Sequence, residues 1–167
     1  NVVLERSYLH HHLNLGHPDN SQMYNHVRGV TYRDNVLLLA GQNLMLQKTE
    51  GLTFENNLFC GVVARHVILG HNSTHRAAFR HNTFAFAQYG AIGTSNARGV
   101  EVFDNVFYNN ALNYEGKVDF RGGRNLYYAT QPGRPLLVRK SDRFQSYTDP
   151  AKFAAEHGFE KGSVVRD

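Results

Sequence analysis

Short segments that alternate apolar and polar positions recur along the chain, each leading into a polar residue at the same place. They read VVLERSYL from Val2, VTYRDNVL from Val30, LTFENNLF from Leu52, AAFRHNTF from Ala77, VEVFDNVF from Val100 and DFRGGRNLYY from Asp119. In LTFENNLF, Leu52 and Phe54 point one way while Thr53 and Glu55 point the other, and a period of two is strand rather than helix. The recurring polar position is Ser7, then Asn35, Asn57, Asn82, Asn105 and Asn125, at spacings of 28, 22, 25, 23 and 20 residues. Self-similarity at roughly 20 to 30 residues marks a stacked solenoid. The regular leucine frame of leucine-rich repeats and the long 3.6-residue period of helical repeats are both missing. The pattern therefore predicts an all-β chain, a right-handed parallel β-helix of about five to six coils. The asparagine is expected at the bend after the strand, in a conformation that tolerates left-handed backbone, with its amide stacked on the next one.

Units such as GLTFENNLF and GVEVFDNVFYNN resemble the repeats of the pectate-lyase-like right-handed parallel β-helix superfamily, over residues 1 to about 128. That superfamily spans lyases, hydrolases, epimerases, esterases, phage tailspikes and inert modules, so the resemblance implies a fold and leaves the chemistry open. Residues 129–167 break the repeat and are expected to pack on the solenoid as an extension. Leu136 to Val138 reads as a short strand. Thr148 or Asp149 caps a helix, with Pro150 in its first turn, Gly158 at its end, and Phe153 and Ala154 facing the solenoid. The order of these pieces resembles the tails of bacterial secreted β-helix proteins of polysaccharide breakdown, which implies an extracellular or periplasmic location. The chain opens directly on strand-like sequence and stops soon after its last turn, so it reads as a piece of a larger protein. Upstream or partner chain is then expected to cover the first coil.

Composition narrows this little. Lys and Arg exceed Asp and Glu by 18 to 14, a mild excess that suits an acidic polysaccharide and does not call for nucleic acid. No apolar run approaches the roughly eighteen residues of a membrane helix. The single cysteine, Cys60, excludes an internal disulfide and an all-cysteine zinc site, and NNLFCGVV makes it a small buried apolar residue.

Candidate chemistry lies on a further strand in each coil: DNSQMY (19–24), NLMLQK (43–48), RHVILG (65–70), YGAIGT (89–94) and LNYEG (112–116). Stacking sets their outward side chains in rows on one face. GHPDNSQ resembles a His-x-Asp-x-x-Gln segment of many β-helix proteins, with Asn20 and Ser21 where those carry Gly and Ile. The resemblance places His17, Asp19 and Gln22 at the rim of a groove; Gln47 and Tyr89 join them as candidate substrate-binding residues. Histidines 10 to 12 fall in the bend after Tyr8 and Leu9, and alternate sides of an extended segment do not suit one ion, so no metal site is assigned. Calcium is common among the relatives the resemblance implies, but no acidic cluster here demands it.

Cleavage of a uronate polysaccharide by β-elimination needs a base for the C5 proton and cations for the carboxylate. Lys48, Arg65 and His66, on consecutive coils, supply both kinds of group, with Lys48 or His66 as base. A glycoside hydrolase would need two carboxylates, for which Asp19 and Glu50 are the candidates. The expectation is thus a polysaccharide lyase acting on an acidic glycan, with a non-catalytic glycan-binding or structural module and a glycoside hydrolase as alternatives.

Overall fold

A computed structural model describes residues 1–14, 18–70, 74–94, 97–115, 119–140 and 143–166. The chain winds as a parallel β-solenoid. Sheet A stacks six strands in sequence order: Val2–Glu5, Val30–Arg33, Glu50–Glu55, His75–Arg80, Arg98–Phe103 and Asp119–Gly123. Sheet B stacks Tyr8–His12, Val36–Ala40, Leu58–Val62, Thr83–Ala87, Val106–Tyr108, Leu126–Tyr128 and, last, Val164–Arg166. Sheet C holds Asp19–Met23, Gln42–Gln47, Val67–Gly70 and Ile92–Thr94. Above it, Leu112–Glu115 pairs in parallel with Leu137–Lys140, which turns back into antiparallel Phe144–Tyr147. Every pairing within sheets A, B and C is parallel, and each strand meets its counterpart one coil away, which is the geometry a repeated sequence unit dictates.

Apolar residues of one parity fill the interior. Phe59, Phe84, Phe107 and Tyr127 stack at centroid distances of 4.9, 5.2 and 5.0 Å, and Tyr32, Phe54 and Phe79 form a second pile at 5.4 and 4.6 Å. These offset stacks combine large apolar burial with the ring geometry aromatic pairs favour.

The asparagine column lies between sheets A and B. Each backbone N–H donates to the amide oxygen one coil on: Ser7 to Asn35, Asn35 to Asn57, Asn57 to Asn82, Asn82 to Asn105 and Asn105 to Asn125, at 2.9–3.0 Å. Each Nδ2 of Asn35, Asn57, Asn82 and Asn105 donates along the same column. The left-handed residue is not the asparagine itself. It is the residue before it, Arg6, Asp34, Asn56, His81, Asp104 or Arg124, with φ between 49° and 59°. That residue makes the turn with its side chain in solvent, and the asparagine then enters the interior in ordinary backbone geometry. The final member is Ser163, preceded by left-handed Gly162.

The C-terminal segment closes this end of the solenoid. Asp149 caps the helix Pro150–His157 by accepting from Ala151 N, Gly158 ends it in left-handed conformation, and Phe153 is fully buried while Ala154 is half-buried. Beyond the helix, the buried Glu160 carboxylate accepts from Tyr114 Oη at 2.5 Å, Tyr127 Oη at 3.0 Å, Ser163 Oγ at 2.6 Å and Asn125 Nδ2 at 3.0 Å. Glu160 is thus the terminal acceptor of the asparagine column.

The outer faces of sheets A and B differ in kind. Sheet A carries exposed ion pairs across the coils, Arg33 with Glu5 and Arg80 with Glu101. Sheet B aligns Val36, Leu58, Thr83, Val106, Leu126 and Val164 in one outward column. Cys60 stands in the neighbouring column, half-buried and outward rather than in the core, and burial raises its thiol pKa.

Candidate functional site

The candidate strands of the sequence fall together as sheet C and its continuation. Their outward residues stand in register: Gln22 beside Met45, Met45 beside Ile68, Ile68 beside Gly93, and one coil further Asn113 beside Val138. Gln22 Nε2 contacts Met45 Sδ at 3.4 Å, and half-buried Gln47 continues the row toward Lys48. Two depressions flank this face, one at each end of its strands.

The first depression, about 340 Å³, is lined by Arg65, Tyr89, Asn113, Arg134, Lys140 and Phe144, among others. Tyr89 N donates to Ala64 O, setting Tyr89 one coil above Arg65, and Asn113 Nδ2 donates to Tyr89 O at 2.9 Å. Arg65 lies flat across Gly93: a Cβ there would fall 2.1 Å from Arg65 Nη1, so this path needs a glycine beneath it. Lys140 and Phe144 face each other across the antiparallel pair of the C-terminal segment. Tyr89 and Phe144 are 59% and 70% exposed, so two aromatic surfaces stand open beside three cations. No carboxylate lines this depression among the described residues.

The second depression, about 290 Å³, is lined by His26, Arg28, Lys48, Thr49, Glu50 and His75. Glu50 is held on both sides, by Arg28 at 3.1 Å and by Arg76. No group of three His, Cys, Asp or Glu residues that could hold a metal occurs among the described residues.

The three expected catalytic residues do not converge. Leu44 pairs with Val67 and Ala64 N donates to Gly41 O, so Arg65 stands level with Gln42. Lys48 is six residues further along that strand, roughly 20 Å away at about 3.3 Å per residue. His66 is fully buried, and this corrects its assignment as a base that meets substrate. It completes a second polar ladder at the corner between sheets B and C. Asn20 Nδ2 donates to Asn43 Oδ1 at 2.6 Å, and Asn43 Nδ2 donates to His66 Nδ1 at 2.9 Å. Burial drives the imidazole pKa down to about 3, with the Ala85 backbone opposing this in part. The alternation of the strand places residue 66 outward; the corner turns it into the interior, against Phe59 and Phe84.

Comparison with protein-family models, curated proteins and solved structures gave no match.

Asp19 begins the first strand of sheet C and is half-buried, while His17 lies outside the described residues. Histidines 10 to 12 belong to the strand Tyr8–His12 rather than to a bend, and all three are exposed. Within that strand His11 is left-handed, with φ of 61°, and this brings its Nδ1 to 2.5 Å from His10 Nδ1. Sequence reasoning missed Arg134, Lys140 and Phe144. They reach the face through the parallel pairing of Leu137–Lys140 on Leu112–Glu115, a long-range register with no local signal.

Proposed function

We propose that the protein is a carbohydrate-active β-solenoid that holds a uronate-containing polysaccharide on the outer face of sheet C and cleaves it by β-elimination in the Arg65 depression. The location that goes with this role is extracellular or periplasmic. One observation carries the reading: Arg65, Arg134 and Lys140 share a depression with two exposed aromatic rings and no described carboxylate. Guanidinium groups match a carboxylate in paired hydrogen bonds, and pyranose rings pack on aromatic side chains. Neutralising the C6 carboxylate acidifies the C5 proton. The Tyr89 oxygen, as phenolate, takes that proton, the C5–H electron pair forms the C4–C5 double bond, and the C4–O4 bond breaks as the resulting Tyr89 phenol returns the proton to O4.

A second reading, binding without cleavage, is favoured by the dispersal of the expected catalytic group: Lys48 stands across the face and His66 in the core. The test is incubation with alginate, pectate and glycosaminoglycans, followed by the ultraviolet absorbance of unsaturated uronate and, separately, by calorimetric binding. The lyase reading expects absorbance from wild type, and binding without turnover in Tyr89→Phe. Binding with no absorbance in wild type selects the module. Reducing sugar released from neutral glycans selects a hydrolase, and no binding to any acidic glycan rejects the proposal. Gly93→Ala displaces the flexible end of Arg65 and is expected to weaken acidic-glycan binding at least about tenfold while the fold persists.

A further inference from the structure

The second depression lies at the far end of the same face and is unassigned by the elimination chemistry. Its floor is the fully buried Thr49, and its rim carries His26, Lys48, His75 and Arg28. The one carboxylate among its described lining residues, Glu50, is already neutralised by Arg28 and Arg76. Lys48 makes no ion pair among the described residues, and its backbone is left-handed, with φ of 51°. This geometry turns the chain out of sheet C and leaves an ammonium group standing at the rim. The three contributing segments are tied together by His26 N donating to Lys48 O at 2.7 Å and by the pairing of Glu50 with His75. Cations and neutral donors from successive coils therefore converge on one concavity, with Glu50 satisfied from within.

We infer that this depression is a second subsite for the same acidic polysaccharide, so that a bound chain crosses sheet C obliquely rather than following the solenoid axis. The inference rests on the reading of the Arg65 depression as a site for acidic sugar. Arg65 and Lys48 are roughly 20 Å apart along the strand direction, and the two depressions are offset by about two strand spacings, ~10 Å, along the axis. Gln47 stands beside Lys48 at the edge of this face, offering an amide to sugar hydroxyls, and the outward Met45 and Ile68 lie on the diagonal between the depressions. A chain of several sugars spans that diagonal, and a disaccharide does not. The second anchoring event is then intramolecular, so a long chain gains affinity that a short one cannot.

The experiment compares binding of a uronate disaccharide and a uronate octasaccharide by calorimetry in wild type, Lys48→Ala and His75→Ala, with thermal melts to confirm folding. Both altered side chains are exposed, so both variants are expected to fold. Wild type is expected to bind the octasaccharide at least about tenfold more tightly than the disaccharide, and Lys48→Ala to abolish most of that gain with disaccharide affinity unchanged. His75→Ala is expected to reduce the gain in the same way by a smaller factor. Octasaccharide affinity that neither variant changes, or a loss equal for both lengths, overturns the second subsite and leaves the Arg65 site standing. Failure of wild type to bind either length overturns both. Preference for single-stranded RNA of equal charge over the octasaccharide also overturns it.

Discussion

Each interior asparagine of the long column serves three coils at once, which sets its energetic weight. Asn82 Nδ2 donates to Phe54 O, Arg80 O and Asn105 Oδ1, while Asn82 Oδ1 accepts from the backbone and side chain of Asn57. Asn82→Ala would leave several buried partners without hydrogen bonds, where each such loss costs about 1–3 kcal/mol. The expected destabilisation is about 3 kcal/mol or more, read from the urea midpoint, and is far above the cost of an exposed substitution. His66 belongs to the same class of residue, with a pH dependence added. The folded ring stays neutral down to about pH 3, whereas in the unfolded chain it protonates below about 6.5. Between those values the unfolded state binds the extra proton, so stability falls as the pH drops, by up to about 1.4 kcal/mol per pH unit. Urea unfolding at pH 6.5 and pH 5 is expected to show a loss of about 1 kcal/mol or more in wild type that His66→Asn lacks. Equal slopes in the two proteins would mean that the ring is already charged or solvated in the folded state.

At the level of elements, the asparagine column and the tail meet at Glu160. Tyr114 and Tyr127 both give their hydroxyl protons to this carboxylate, and burial followed by the adjacent charge raises both phenol pKa values well above the ordinary range. Glu160→Gln keeps the shape but turns one acceptor into a donor facing donors. It is expected to cost about 1–3 kcal/mol and to loosen the strand Val164–Arg166 first. Amide exchange at Ser163 and Val164, whose partners are Glu160 O and Asn125 O, checks this, because uniform loosening of all coils would contradict a local cap. Nothing in GFEKGS announces such a role; Glu160 becomes an end-cap only because the chain returns there after a helix. By contrast, the helix itself was legible, since Asp149, Pro150 and Gly158 act through neighbouring backbone alone. The strands of sheet C were legible from their alternation, and the column from Ser7 to Asn125 from its spacing. Inward or outward facing of residues 65 and 66 was not, because a corner between two sheets resets parity. Cross-coil register failed for the same reason: residues 48 and 65 lie on adjacent coils, yet register sets them at opposite ends of a strand.

The described coils behave as a one-dimensional stack. Long-range order comes from each coil pairing with the next, so stability is approximately a sum over coils and their interfaces. At the C-terminal end, the helix, Phe153 and Glu160 cover the last coils. At the other end, Val2–Glu5, Tyr8–His12 and Asp19–Met23 are the outermost strands of sheets A, B and C among the described residues. Val2, inward by register with buried Val30, is 63% exposed there, and Leu4 and Leu9 are only half-buried. The interior residues of the central coils, Phe54, Phe59, Phe79 and Phe84, are completely buried. In a polypeptide of these 167 residues alone, local opening therefore has an expected direction: it starts at the first coil and advances coil by coil, with the middle of the stack opening only in global unfolding. Hydrogen exchange under native conditions is expected to give graded protection that rises from residues 2–12 through 30–47 to a plateau over 52–107. Leu4→Ala should change exchange mainly in the first two coils, whereas Phe79→Ala, at a cost of about 3–5 kcal/mol, should lower the plateau itself. A single protection value from the first coil to the fifth would show that the stack opens as one unit, and the ordering of coils would then be wrong.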